Sequence, residues 1–386
     1  MNIGIFTDSY FPQISGVVTS IRTLEKELNK IGHKVYIFTT TDPNAKESLP
    51  RVFRLPSMPF IFLPTLRMAL AYPPKLLIKI KSLKLDVIHT QTEFPIGIFG
   101  KVVSEFIRVP LVHTYHTMYE DYVHYVARGH LVTPKMARQY SRIFCNRANT
   151  VIAPTEKTRD FLLSYGVVRP IEIVPTGVDI TPFTRWNKSD GLEARKELGI
   201  SESDPVVISV GRVAKEKSID VVIKQFARLI EKLPNAKLVI VGAGPYVQTL
   251  MDLAGELGVR ESVIFAGPRP WDSIGKYYQL GDVFVTASMT ETQGLTHIEA
   301  MASKVSVVTK IDKSFEGVLI DGKTGYGFAN DGDAADVMYE ALTNKKKSAE
   351  MAEAAFERAM SLSSARFGKS VEDIYIKAIN SKKAKA

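Results

Sequence analysis

Short apolar runs of strand length alternate along the chain with longer stretches in which apolar residues return every three or four positions. Residues 2–6 form one such run, a loop containing Gly, Ser and Pro leads to Gly16, residues 17–30 are amphipathic at helical spacing, and residues 35–39 are apolar again. Strand, helix, strand is the opening of a doubly wound α/β sheet. Runs at residues 85–90, 109–113 and 150–154 continue it, each ending in polar side chains. Beyond residues 173–177 the chain turns polar and residues 185–202 lack strand character. A second series then starts at residues 205–211 and goes on at 237–241, 262–265, 282–286 and 305–309. The pattern predicts two Rossmann-like domains joined near residues 175–205, with boundaries at 1–180 and 181–363, and a last helical segment, 364–386, that need not belong to the second core.

Length agrees, because 386 residues exceed what one hydrophobic core usually organises. Cys145 is the only cysteine, which excludes a disulfide framework or a thiolate-rich metal site and fits a reducing compartment. The first eight residues read as a strand entering a loop, so no export is expected. The nearest approach to a spanning helix, residues 60–80, is interrupted by Pro64, Arg67, Pro73, Pro74, Lys75 and Lys79. The net charge of +9 is unevenly spread: residues 51–150 alone hold 14 basic and 5 acidic side chains. A basic surface confined to one domain implies an anionic partner.

Candidate chemistry gathers where strands end. Gly16 stands where a missing side chain lets a diphosphate approach the start of a helix, or simply makes a tight turn. Gly211-Arg212, followed by Lys215, Glu216 and Lys217, comes directly after the first strand of the second series; two fixed cations there neutralise a diphosphate without a metal, although a solvated loop has the same look. Residues 241–245 give G-x-G after a strand, but Val247 takes the place of the third small residue of a dinucleotide fingerprint, which speaks against NAD. In Glu291-Thr-Gln-Gly-Leu-Thr-His-Ile-Glu299 two carboxylates lie eight residues apart across a glycine turn, Glu291 in the loop and Glu299 inside the following helix. Carboxylates so arranged suit the hydroxyls of a sugar or ribose, or else cap and solvate a helix start.

Taken together, these residues resemble the retaining glycosyltransferases of family 4, whose GT-B fold has two facing Rossmann-like domains. The resemblance runs over nearly the whole chain, through Ser15-Gly16, the 211–217 segment, the Gly242–Pro245 turn and the E-x7-E pair. More narrowly, residues 4–16 and 113–122 look like those of the bacterial diacylglycerol glucosyltransferases. The resemblance implies that Arg212 and Lys217 hold the donor diphosphate, with the Gly16 N–H beside it. It implies that Glu299 binds the ribose hydroxyls and that Glu291 contacts the hexose, with Gly294 and Leu295 alongside. It puts His116 near the anomeric carbon, and Gly244 and the segment around Arg269 next to the nucleotide. The final helix would cross back to the first domain. The implied donor is UDP-glucose and the implied acceptor diacylglycerol, used at the cytoplasmic face of the membrane. No cofactor is tightly bound, and magnesium acts, if at all, as a stimulant without a site of its own.

Competing readings stay open at this point. Among His113, His116, Glu120 and His124 three ligands fall at i, i+4, i+8 if residues 116–124 are helical, which could hold a metal, against a core or acceptor-side role. Residues 73–84 put Leu76, Leu77, Ile80 and Leu83 on one side and Lys75 with Lys79 on the other, with Lys81 and Lys84 nearby. That is either a membrane-facing helix, with residues 60–63 as a shallow anchor, or a surface helix packing its leucines on the core. Lys135, Arg138 and Arg142 make a second basic stripe. Other acceptors (a phosphoinositide, a teichoic-acid glycerol phosphate, a soluble sugar) or galactose in place of glucose suit the same donor site. From another class, a non-catalytic nucleotide- or RNA-binding protein fits the basic patch, but no RNA-binding aromatic signature accompanies it.

Overall fold

In the computed structural model, residues 1–13, 15–45, 49–60, 63–70, 72–120, 133–313 and 318–384 are described. Two compact units form: Met1–Gly177 with Ser364–Ala386, and Val178–Ser363.

The first unit contains β1 (Asn2–Phe6), β2 (Lys34–Thr40), β3 (Val52–Leu55), the strands β4 (Ser57–Phe60) and β5 (Leu63–Ala69), then β6 (Val87–Thr90), β7 (Leu111–Thr114), β8 (Thr150–Ala153) and β9 (Ile171–Ile173). Seven of these make one sheet in the order β3-β2-β1-β6-β7-β8-β9, every pairing parallel. β4 and β5 pair antiparallel as a separate hairpin. Helices cover both faces of the sheet, which is why its central strands are buried on both sides. On one face Ile21, Leu24 and Leu28 of the Gly16–Lys30 helix meet Phe367, Val371 and Ile374 of the Ser364–Lys383 helix. Those two helices approach so closely that a Cβ on Gly368 would lie 2.6 Å from the Glu27 Cβ. The last helix therefore belongs to the first unit, where Ser364 also donates to Glu27 (2.9 Å) and Lys382 donates to the Val109 carbonyl (2.7 Å).

The second unit contains β10 (Val206–Val210), β11 (Lys237–Val241), β12 (Val263–Gly267), β13 (Val283–Thr286), β14 (Ser306–Lys310) and β15 (Tyr326–Phe328), again all parallel, in the order β12-β11-β10-β13-β14-β15. Apolar clusters fill the space between this sheet and the helices on its two faces.

Both sheets change direction beside their first strand, between β1 and β6 and between β10 and β13. Loops leaving the carboxyl ends of two such strands diverge to opposite faces and open a crevice, the usual ligand site of this topology. The main strands fall where the apolar runs predict them. The apolar pattern does not mark β3, β9, β15 or the β4–β5 hairpin: β3 and β9 are three or four residues long with a charged residue inside, β15 is three residues built around a glycine, and the hairpin contains Pro59 and Pro64.

Candidate functional site

In the second unit, the loop after β10 is held in shape by the loop after β11. Val213 donates to the Ala243 carbonyl (3.0 Å) and Tyr246 donates to the Val213 carbonyl (3.1 Å). A Cβ on Gly242 would lie 1.8 Å from the Gly211 oxygen, and one on Gly244 would lie 2.1 Å from the Val213 oxygen. The G-x-G turn thus lets two backbones touch, and the space above Gly244 is filled by the chain itself. With its base fixed, the loop makes a single turn at Lys215–Lys217 and presents Arg212 and Lys217.

Across the crevice, the loop after β13 runs to Gly294, whose φ of 68° is a left-handed conformation that suits glycine, and the Leu295–Ala302 helix starts there. Lys217 Nζ meets Glu291 Oε1 at 2.6 Å, and Thr290 Oγ1 donates to the Glu216 carbonyl at 3.1 Å, so the two loops are joined directly. Arg212 Nη1 lies 3.8 Å from Glu216 Oε1. Burial by itself raises the Glu291 pKa, but the charge and hydrogen bond of Lys217, helped by Ser288, outweigh it and hold the carboxyl below its usual range. Eight residues on, Glu299 is buried and accepts a 2.8 Å hydrogen bond from the Tyr278 hydroxyl. Here burial dominates, only partly offset by that bond, and the pKa rises to about 7. The two carboxylates of the motif therefore differ in charge at neutral pH, one ionised beside a cation and one balanced between states. Arg269, past the end of β12 and two strands from β10, stacks on the Tyr277 ring with its guanidinium 4.5 Å from the centroid.

In the first unit, Gly16 opens the Gly16–Lys30 helix and is exposed, with Ser15 capping by accepting from the Val18 N–H at 3.3 Å. Asp8 follows β1 and is buried; it accepts from Thr92 Oγ1 (2.6 Å) and the Ile96 N–H (3.1 Å), and burial raises its pKa to about 6 despite those bonds. His116 comes two residues after β7 and donates from Nε2 to Gln91 Oε1 at 2.6 Å. Nearby, Glu93 accepts from the Tyr119 hydroxyl and lies 3.1 Å from His113 Nε2, and Tyr140 donates to the Glu93 carbonyl oxygen. The helical ligand set of the sequence reading does not form: His113 is in β7 and residues 115–118 are not helical, so the spacing of four no longer aligns the side chains, and His124 lies outside the described residues. Among the described residues no group of three or more His, Cys, Asp or Glu is arranged to hold a metal.

The basic helix, Pro74–Ser82, buries Ile80 and packs Leu76, Leu77 and Leu83 against the core, while Lys75, Lys79, Lys81, Lys84 and Ile78 face outward, Ile78 being 73% exposed. Its leucines are thus committed to the fold. Phe60 lies in the hairpin, and residues 61 and 62 lie outside the described residues. Lys135, Arg138 and Arg142 are exposed on the Pro134–Cys145 helix, with Arg138 Nε 2.8 Å from Glu120. No helix among the described residues is long and apolar enough to cross a membrane.

Asp8, Gln91 and Ser288 line the two crevices and belong to no motif, yet each comes within two residues of a strand's carboxyl end, where crevice-lining residues belong. Tyr278 carried no such signal, since it is buried within the Ile274–Leu280 helix.

Two units, each a doubly wound sheet of parallel strands, are the architecture of the GT-B glycosyltransferases. Residues 14–181 match Glycosyltransferase Family 4 and residues 191–358 match Glycosyl transferases group 1. The chain belongs to glycosyltransferase family 4. It is similar to the alpha-monoglucosyldiacylglycerol synthase of Streptococcus pneumoniae, 39% identical over 98% of this chain and 86% of that protein. It is also similar to the synthase of the same name from Acholeplasma laidlawii, 36% identical over 85% of each. Among solved structures, Anabaena Alr3699/HepE in complex with UDP and glucose shares the fold with a TM-score of 0.80 and 18% identity over 98% of this chain and all of that one. WaaG, a glycosyltransferase involved in lipopolysaccharide biosynthesis, shares it with a TM-score of 0.72 and 18% identity over 97% and 99% of the two chains.

Proposed function

We propose that this glycosyltransferase moves glucose from UDP-glucose to the 3-hydroxyl of 1,2-diacylglycerol with retention of the α configuration, working as a peripheral protein on an anionic membrane surface at its cytoplasmic face. The observation that carries the reading is the union, at one switch point, of the Lys217–Glu291 pair (2.6 Å), Arg212 and the buried Glu299. Similarity to two synthases named for monoglucosyldiacylglycerol supports the acceptor, and the exposed cations of the first unit support the membrane. Residues 1–180 form the acceptor and membrane-facing domain, residues 181–363 the donor domain, and residues 364–386 the returning helix.

Breaking the anomeric C–O bond leaves a diphosphate that gains negative charge and a sugar that becomes oxocarbenium-like. Arg212 and Lys217 are positioned before the reaction for that developing charge, and removing one such group costs about 2.7 to 4 kcal/mol in the transition state. The backbone of Gly16, Gly294 and Leu295 adds N–H groups, Gly244 shapes the loop beneath, and the Arg269 segment receives the base. Glu299 accepts from the ribose hydroxyls and Glu291 from the hexose. The acceptor hydroxyl enters on the leaving-group side, its oxygen bonds to the anomeric carbon, and its proton passes to the departing phosphate. His116 contacts the donor sugar or the acceptor. No protein nucleophile is needed.

UDP release from UDP-glucose, with and without diacylglycerol vesicles of neutral or anionic lipid, tests the reading. Release that needs diacylglycerol and rises with anionic lipid is expected; release indifferent to lipid would remove the acceptor and the membrane and leave the donor site standing.

A further inference from the structure

The carboxyl ends of β6 and β7 bury far more polarity than the fold requires. His89, Gln91, Glu93 and His113 are each at most 2% exposed, although polar groups at such depth cost free energy unless their hydrogen bonds are complete. The bonds of His89 and Gln91 form a connected path. Tyr375 of the last helix meets His89 Nδ1 at 2.7 Å, Thr114 meets His89 Nε2 at 2.7 Å, the Gln91 amide nitrogen lies 3.2 Å from both ring nitrogens of His89, and Gln91 Oε1 receives His116 Nε2 at 2.6 Å.

We infer that Gln91 is a positioning residue that fixes the tautomer and the ring plane of His116, and that His89 and Tyr375 hold Gln91 in turn. The inference rests on the role proposed above for His116. Its chemistry follows from the amide: Gln91 Oε1 can only accept, so His116 must carry its proton on Nε2, and Nδ1 is then the basic, accepting nitrogen. Turning the amide over would set its NH2 group against His116 Nε2 and require the other tautomer of that ring. Burial, with the charge of His113 adding to it, lowers the His116 pKa to about 3, so the ring is neutral and its tautomer, not its charge, is what the protein sets. A neutral imidazole held this way keeps a fixed ring plane and does not repel the sugar cation as it forms. The outer end of the path is on the C-terminal helix, which gives that helix a part in the chemistry besides its packing.

The test is 15N NMR of the His116 ring in the full-length protein, alongside kinetics of Gln91→Leu, Gln91→Glu and His116→Ala. Wild type is expected to show the Nε2–H tautomer. Gln91→Leu should mix the two tautomers and lower kcat about tenfold to a hundredfold, with UDP affinity unchanged. Gln91→Glu keeps an acceptor facing Nε2 and should retain the tautomer and most of the activity, while raising the His116 pKa. If His116→Ala abolishes turnover but Gln91→Leu keeps both the tautomer and kcat, the positioning role is overturned. If His116→Ala leaves turnover intact, the role of His116 itself falls, whatever Gln91 does. A Gln91→Leu chain that fails to fold is replaced by Tyr375→Phe, which removes only the outer hydroxyl and should give a smaller loss of the same kind; an unchanged tautomer and kcat there, with Gln91→Glu also unchanged in His116 pKa, would overturn the inference.

Discussion

The two switch points have the same strand order and opposite electrostatics. At β10/β13 Lys217 and Glu291 are charged, joined as an ion pair and partly exposed, 24% and 17%, with Glu299 buried beside them. Beside the β1/β6 switch point, at the carboxyl ends of β6 and β7, the polar groups are buried and the histidines are driven toward neutrality, burial pushing His89 well below its usual range and His116 to about 3. A crevice meant for a diphosphate has to keep its cations ionised and reachable. A crevice meant to orient hydroxyls does better with fixed, uncharged donors and acceptors, whose directions are set before the ligand arrives. On the proposed reading, the same topology serves electrostatic stabilisation in one unit and hydrogen-bond geometry in the other.

Breaking the charged side should have the largest effect. Lys217→Ala is expected to lower kcat by about 10² to 10³, and UDP affinity should fall with it; unchanged turnover would remove the donor-site assignment. Raising salt should weaken UDP binding and leave the His116 tautomer untouched, which contrasts the two sites within one sample.

Next in size is the scaffold beneath the cations. Gly244→Ala drives a Cβ to within 2.1 Å of the Val213 oxygen, so the 211–217 loop must shift. A lower melting temperature and a loss of UDP binding of about tenfold or more are expected by calorimetry. Tyr278→Phe, which takes the hydroxyl from Glu299, should raise the donor KM about threefold to tenfold with a smaller change in kcat.

Glu299 predicts a pH effect whose sign is definite. Its folded pKa of about 7 exceeds the reference 4.5, so the folded state holds this proton more tightly than the unfolded state. Stability from this source is present at low pH and is lost as pH rises from about 4.5 through about 7. Glu299→Gln should flatten that part of the melting-temperature profile. It should also remove the rise in UDP affinity that accompanies ionisation of the carboxylate near pH 7.

Smallest is the surface. Reversing Lys79 and Lys81 to Glu should reduce the stimulation by anionic vesicles by several-fold per residue, since each basic side chain near such a surface contributes about 1 kcal/mol, and should not alter UDP binding. Equal stimulation in wild type and variant would assign the membrane contact to another surface.

The order of apolar and polar residues settles the class of fold, because a strand buried on both faces must be written as a continuous apolar run and a covering helix as a periodic one. It also determined which residues stand at strand ends, and hence Arg212, Lys217, Glu291 and Glu299 as candidates, for those positions follow from order alone. Short edge strands such as β9 and β15 carry too few residues to write a pattern, and they became visible only through their partners. Pairing in space was the other thing order does not contain. Lys217 meets Glu291 from 74 residues away, Tyr278 meets Glu299 from a helix with no motif, and Tyr375 reaches His89 across 286 residues. The same holds for Gly242 and Gly244, which look like a nucleotide signature in one dimension and turn out, in three, to be the room one loop leaves for another. Charge states belong with these, because burial sets them and burial is a property of the assembled structure.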